Sequence, residues 1–342
     1  MTRKVSVRDV AHAAQVSIGS VSRVLNDSGY ASTTLRRRVL DAVASLGYEP
    51  DFTARHMRIQ HSKAIGYLLP NIANPFLAAH LSEVERLMQA AGYSLLVGSS
   101  EQPMRDRELV AFFENRRLEG IIASPMTEYP DPCSCPFARC NLPVVIVDRQ
   151  MGHGFDSVLM DHRQGMGQAT DYLIALGHRR IALFVAGASL RPGREKLAGY
   201  KAALEAAGLP YDDALVHMPS SWLESSYHRM AHMLCQARPP TAIIALGTQM
   251  LSGAVRAAHE AGLNVPRDLS VIGVGTMETL DLMHPPVTAL CYDFASSAQA
   301  TVRLMLERIQ GQARGAAPRT VILPWNLIIG ASCAPPCQPE NR

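Results

Sequence analysis

The stretch VSVRDVAHAAQVSIGSVSRVLN, residues 5 to 26, decides how the rest of the chain is read. Val7, Val10, Ala11 and Ala14 fall on one face at helical spacing, which predicts a helix from Val7 to about Ala14. Ser17 then offers an N-cap oxygen to a second helix, from about Ile18 to Leu25, whose inward stripe is Val21, Val24 and Leu25. Ser17, Ile18, Gly19, Ser20, Ser22, Arg23 and Asn26 are left on or near the open side. Two short helices that present small, polar and basic residues outward make a helix-turn-helix, whose second helix enters the DNA major groove. A third amphipathic helix, STTLRRRVLDAVASLG from Ser32, closes a small core through Leu35, Val39, Leu40, Val43 and Leu46.

The run D-V-A-x-x-A-x-V-S-x-x-S-V-S-R-V-L-N, followed by L-G-Y-x-P at Leu46 to Pro50, resembles the lactose/galactose repressor family of bacterial regulators. One position departs from the family: Gln15 stands where the turn usually carries glycine, a residue that tolerates a left-handed backbone. Ile18 and Gly19 occupy the base-reading positions without a hydrogen-bonding side chain. Ile18 is suited to a thymine methyl, and Arg23 to a phosphate.

Charge is placed to match. The whole chain of 342 residues carries a net +3, yet residues 1 to 62 hold nine Lys and Arg against five acids. A basic front on a near-neutral body fits phosphate contact by the front alone, with affinity that falls with salt. At 47% hydrophobic and 18% charged residues, the composition is that of a globular protein with a large core. No run approaches the ~18 apolar residues of a membrane helix, and MTRKVSVRDV lacks the apolar centre of a signal peptide. A cytoplasmic protein with no membrane partner is expected. Seven scattered cysteines argue against a disulfide framework. Cys133, Cys135 and Cys140 have neither zinc-pair spacing nor a nearby histidine, so free thiols are the simpler reading.

Residues 47 to 63 contain too few apolar groups to fold alone. The resemblance implies a hinge helix here, ordered on the operator, in which an apolar side chain wedges the minor groove open. Met57 stands at that position, flanked by Arg55 and Arg58. A plain polar linker is the other reading. From Ala64 onward, short apolar runs alternate with helical stripes: AIGYLLP, residues 76 to 92, YSLLVGSS, RDRELVAFFENRR, EGIIASP, PVVIVDR, and so on to a helix over 294 to 310 and a strand pair over 320 to 330. That alternation predicts parallel sheets with helical crossovers.

The expected fold is therefore α/β: an N-terminal three-helix helix-turn-helix domain (1–48), a hinge (49–62), and a two-lobed periplasmic-binding-protein-like core (63–342) with parallel sheets. The N-lobe is expected over about 63–161 and 294–322, and the C-lobe over about 162–293 and 323–335. In open parallel sheets ligands bind beyond the carboxyl ends of the strands, which places an effector between the lobes. The candidates there are Asn74, Phe76, Arg149, His162, Arg194, Thr248 and Thr276, with Phe76 equally suited to a core role. The family usually has Asn-Asp after TAIIAL and an aromatic followed by Asp-Asp after SVIG; this chain has Gly247 and Thr248, and Val274, Gly275 and Thr276. Acidic acceptors are lost while arginines remain, so the expected effector is a sugar acid or another carboxylate, with a pocket that binds nothing as the rival. The expected partners are double-stranded operator DNA, a small-molecule effector and a second copy of the chain. No cofactor, metal or enzymatic activity is expected, since GxSxG, P-loop, GxGxxG and HExxH patterns are all missing from the sequence. A solute-binding protein of the same core fold is the alternative.

Overall fold

The computed structural model describes residues 5–25, 30–48, 62–152, 154–219, 226–275, 280, 284–313 and 315–337. The chain forms two compact units, Met1–Ser62 and Lys63–Arg342.

The first unit is three helices, α1 (Val7–Ala13), α2 (Ile18–Leu25) and α3 (Thr33–Leu46). Their ends are capped by side chains, which is how helices this short satisfy their first amides. Ser6 and Asp9 form a reciprocal capping box on α1. Ser17 Oγ accepts the Ser20 amide at 3.1 Å on α2, and Ser32 caps α3. The core is Val10, Ala11, Ala14, Val21, Val24, Val39 and Ala42. Leu40 does not join it and is 48% exposed. It lies about 100° round α3 from Val39, off the buried stripe, and Ala42 fills that face instead.

Gln15 sits in the left-handed region, at φ +50°. The α1–α2 turn keeps the geometry that glycine would supply, at a cost borne by a residue with a Cβ. Arg38 on α3 steadies the turn by donating from Nη2 to the Ala14 carbonyl at 2.7 Å and to that of Gln15 at 3.2 Å. Gln15→Gly is expected to stabilise this unit by about 0.5–1 kcal/mol, relief of strain being partly offset by glycine's freedom in the unfolded chain. Amide exchange at Val10, Val21 and Val39 should slow by about two- to fivefold.

The second unit holds two six-stranded sheets. The first contains β1 (Ala64–Leu69), β2 (Ser94–Ser99), β3 (Ile121–Ala123), β4 (Val144–Val147), β5 (Asp156–Met160) and, from the end of the chain, β11 (Thr320–Leu323). Its strand order is β11-β5-β4-β3-β1-β2, parallel throughout. The second contains β6 (Ile181–Phe184), β7 (Val216–His217), β8 (Ala242–Leu246), β9 (Ser270–Gly275), β10 (Thr288–Tyr292) and β12 (Trp325–Ile328). Its order is β12-β10-β9-β8-β6-β7, parallel except for β12 against β10.

Strands such as VVIV in β4 are buried along their whole length, because helices cover both faces of each sheet. On the first sheet α4 (Pro75–Ala90) and α10 (Phe294–Ile309) pack on one face through Val84, Met88, Leu304 and Met305. The other face takes α5 (Pro103–Asn115), through Leu109, Val110 and Phe113. On the second sheet α6 (His162–Ala175) and α7 (Arg191–Ala206) share a core with Trp325, while α8 (Ser226–Leu234) and α9 (Gly247–Glu260) take the opposite face.

The chain passes between the two sheets at Asp161, Asp293 and Pro324. The segment over 320 to 330, expected as a strand pair, is two strands that do not pair with each other. β11 runs parallel to β5 in one sheet, and β12 runs antiparallel to β10 in the other. Pro324 between them has no amide hydrogen to continue a ladder. The first sheet's late strand is stitched in by Asp156. Its carboxylate accepts Arg308 Nε at 2.7 Å, Arg308 Nη2 at 3.0 Å and the Arg319 amide at 2.8 Å, tying β5 to α10 and to the approach to β11.

Candidate DNA-reading face and ligand cleft

In the first unit, Ser17, Ile18, Gly19 and Arg23 are exposed along α2, Ser20 and Ser22 are half-buried, and Val21 and Val24 face inward. Ile18 is 40% exposed although it is apolar, and it leads the helix. A Cβ built at Gly19 meets only Ser17 Oγ, at 3.8 Å, so this face has room for a larger side chain and carries none. The Ser17 and Ser20 hydroxyls lie 3.0 Å apart. Asn26, Arg55, Met57 and Arg58 fall outside the described residues.

In the second unit, the order β2-β1-β3 reverses direction at β1 and the order β7-β6-β8 does so at β6. Crevices at the carboxyl ends of strands open at such reversals. The residues that follow those strands meet there. Asn74, after β1, caps α4 by accepting the Phe76 amide at 3.0 Å. Phe76 packs at 4.8 Å against Phe294, at 5.8 Å against Tyr292 and, nearly parallel, at 6.1 Å over Trp325. Trp325 reaches this wall because α6 carries Gly165, where a Cβ would come within 2.6 Å of the Trp325 Cβ.

The polar side of the cleft is built on Asp148, which follows β4 with φ +53°. His162 Nε2 donates to both Asp148 carboxylate oxygens at 2.9 Å, and Arg191 Nη1 approaches Oδ1 at 3.3 Å. Arg191 also bonds the Met160 carbonyl at 2.9 Å. Burial holds the His162 imidazole down to about 4, only partly offset by Asp148, so the ring is neutral near pH 7. Its Nδ1, an acceptor in that tautomer, is buried with no partner among the described residues. Burial alone would raise Asp148. The His162 hydrogen bond and the nearby Lys196 and Arg149 charges outweigh it and keep the carboxylate ionised.

The arginines differ in what they hold. Arg149 is buried and bonded to main chain, Nε to the Pro125 carbonyl at 2.5 Å and Nη1 to its own neighbour Asp148 at 2.8 Å. Arg194 Nη2 donates to Glu128 at 2.6 Å and to Gln150 at 3.2 Å. Thr248 lies in the first turn of α9 with its side chain outside what is described, and Thr276 is outside altogether.

Lys196 is the residue that the sequence reading passed over. It is 4% exposed, and its ammonium sits 5.6 Å over the Trp325 ring. Among the described residues its ammonium makes a single, long hydrogen bond, 3.5 Å, to the Pro192 carbonyl of its own helix. Burial lowers its pKa to about 8 against the pull of Asp148, with Arg149 and Arg191 adding to the fall. In the sequence it lies on REKLAGYKAALEAAG, an amphipathic helix in which a lysine reads as solvated. The signal was Gly199, three residues on. A Cβ there would come within 2.2 Å of the Arg163 carbonyl, so α7 lies backbone to backbone on α6 and buries that face.

Known proteins match both units. Residues 6–51 match the family model for bacterial regulatory proteins of the lacI family, and residues 170–333 match the periplasmic binding protein-like domain. Among curated relatives, the HTH-type transcriptional repressor PurR of Salmonella arizonae is 29% identical over 315 residues, covering 89% of this chain and 90% of that protein. The HTH-type transcriptional regulator DegA of Bacillus subtilis is 27% identical over 336 residues, covering 97% and 99%. Among solved structures, the lac repressor dimer bound to operator and the anti-inducer ONPF superposes with a TM-score of 0.87 at 27% identity, covering 97% of this chain and all of that one. The transcriptional regulator CelR in complex with cellobiose gives 0.72 at 26% identity and covers 96% of this chain. With likeness along nearly its whole length to regulators of one kind, the chain carries a helix-turn-helix domain of the lacI family of bacterial regulatory proteins followed in sequence by a periplasmic binding protein-like domain, and is a DNA-binding transcriptional regulator.

Proposed function

We propose that this protein is a repressor that works as a homodimer on operator DNA and is controlled by a small anionic metabolite, a sugar acid or another carboxylate, held between its lobes. Ile18 reads a thymine methyl, Gly19 leaves one base pair unread, and Ser17, Ser20, Ser22, Arg23 and Asn26 complete the reading face. Arg55, Met57 and Arg58 act at the centre of the operator, where the methionine wedges the minor groove. Arg23→Ala is expected to weaken binding about equally on all sequences and to reduce the salt slope by roughly one counterion, as loss of a phosphate contact does.

The observation that carries the effector class is Lys196. A buried ammonium with one long hydrogen bond is an expensive arrangement unless an anion completes it. Arg191, Arg194 and Lys196 gather around the cleft, where among the described residues Asp148 and Glu128 are their carboxylate partners. The aromatic wall of Phe76 and Trp325 suits the apolar face of a sugar ring, and His162 Nδ1, which has no partner among the described residues, suits a hydroxyl.

The test is fluorescence anisotropy on DNA from upstream of the protein's own gene, at two salt concentrations, with neutral sugars and sugar acids. Selective binding altered by an acid alone supports the whole reading. Selective binding altered by a neutral sugar alone would overturn the effector class and leave the repressor.

A further inference from the structure

The cleft contains a carboxylate of its own. Glu128, in the connection between β3 and β4, belongs to the first lobe, and its side chain is 9% exposed. Its Oε1 accepts the Arg191 amide at 2.8 Å and the Gln150 amide at 2.9 Å. Its Oε2 accepts Arg194 Nη2 at 2.6 Å. Arg191 and Arg194 open α7 in the other lobe, so two of these three bonds cross between lobes. All three involve an ionised acceptor, and one an ionised donor as well, the stronger class of hydrogen bond. The positive end of a sixteen-residue helix adds to them.

The start of α7 is also tied to the first lobe by Arg191, which bonds Asp148 and the Met160 carbonyl, and by Arg194, which bonds Gln150. The tie through His162 behaves differently on opening. His162 stands immediately after the crossing at Asp161, so its bond to Asp148 lies beside a pivot and survives a rotation about it. Glu128 is remote in sequence from all three crossings, at Asp161, Asp293 and Pro324, and its bonds to α7 must break for the lobes to part.

We propose that Glu128 is an interlobe latch, a tethered carboxylate that closes the cleft by filling a place at the start of α7 where a free carboxylate also fits. The latch supplies, from the chain itself, an anion to a site with several cations. It rests on the effector reading only for its purpose, since its bonds can be tested with neither DNA nor effector present.

Hydrogen exchange of the full-length protein is the experiment. Glu128→Gly should raise exchange in the peptides that contain Gln150 and Arg191 by at least about tenfold, as expected when charge-assisted bonds are lost. Sodium propionate, which matches the deleted side chain, should restore most of that protection in the variant, while sodium chloride at equal ionic strength should not. Glu128→Gln, which keeps the shape and removes the charge, should fall between. Combining Glu128→Gln with Arg194→Met should give no more exchange than the stronger single change. Unchanged exchange in Glu128→Gly, or rescue by chloride as effective as by propionate, would overturn the latch. A latch that behaves as described while Lys196→Met leaves acid binding intact would instead remove the proposed effector class.

Discussion

Lys196→Met is expected to leave operator binding unchanged and to weaken binding of the acidic effector by roughly 30- to 100-fold, the loss of one or two charge-assisted hydrogen bonds in a buried site. Isothermal titration with whichever acid releases or recruits DNA reads this directly. Methionine has about the length of lysine and packs against aromatic rings, so the contact with Trp325 is kept. The pH dependence follows from the same group. Its folded pKa, about 8, lies below the ordinary 10.5, so the protonated form is penalised by folding. That penalty is complete below pH 8 and disappears as pH rises towards 10.5. A drop of that size corresponds to about 3 kcal/mol, part of which the methionine variant should recover at pH 7 as a higher melting temperature, the remainder being lost with the counter-charge of Asp148. The effector needs the protonated ammonium, so wild-type affinity for the acid should fall as pH is taken from 7 to 9.5. A flat profile would show that the anion is held elsewhere.

Asp156→Ala is expected to destabilise the second unit by about 3–5 kcal/mol, the usual cost of breaking a buried ion pair by removing one partner. The carboxylate is 3% exposed and joins three parts of one lobe that are far apart in sequence. Asp156→Asn should cost less, because an amide oxygen still accepts from Arg308. Burial would raise the carboxylate's pKa, but the bonds from Arg308 and the Arg319 amide outweigh it and hold it below the usual range. Its contribution is therefore full above the unfolded carboxylate pKa, near 4, and fades as pH falls through the lower folded value. Urea denaturation at pH 7 and pH 3 separates the cases: the gap between wild type and Asp156→Ala should narrow at the lower pH.

The helix-turn-helix could be read closely because its signals are local. Ser17 and Ser32 sit where the caps are, and the stripes of valine and alanine face the core. The alternation of strands and helices in the body was equally plain, since apolar runs such as TAIIAL lie in fully covered parallel strands. Elements that depend on neighbours were missed. β7 is two residues long and exists only as an edge beside β6, and β5, DSVLM, alternates where β4 beside it is buried throughout. In the cleft, sequence position indicated which loops converge but not which way a side chain turns. Arg149 and Arg194 both looked like free cations, yet one is bonded to main chain and the other to Glu128. Lys196 was hidden for the opposite reason, as its burial comes from a close approach of two helices signalled only by a glycine.

The three passages of chain between the sheets bear on the order in which a ribosome could complete this protein. The first lobe receives α10 and β11 from residues 294–323, after nearly all of the second lobe has been made. Until then the face of its sheet that Ala298, Leu304 and Met305 will cover is exposed apolar surface. The second lobe lacks its edge strand β12 and the segment over 329–337 that bonds to β9 and β10 at that stage, and has all its other strands, so it can fold ahead of the first. During synthesis the body is therefore expected to mature from its later half backwards, and a nascent chain halted near residue 293 would carry one nearly finished lobe and one open, aggregation-prone sheet.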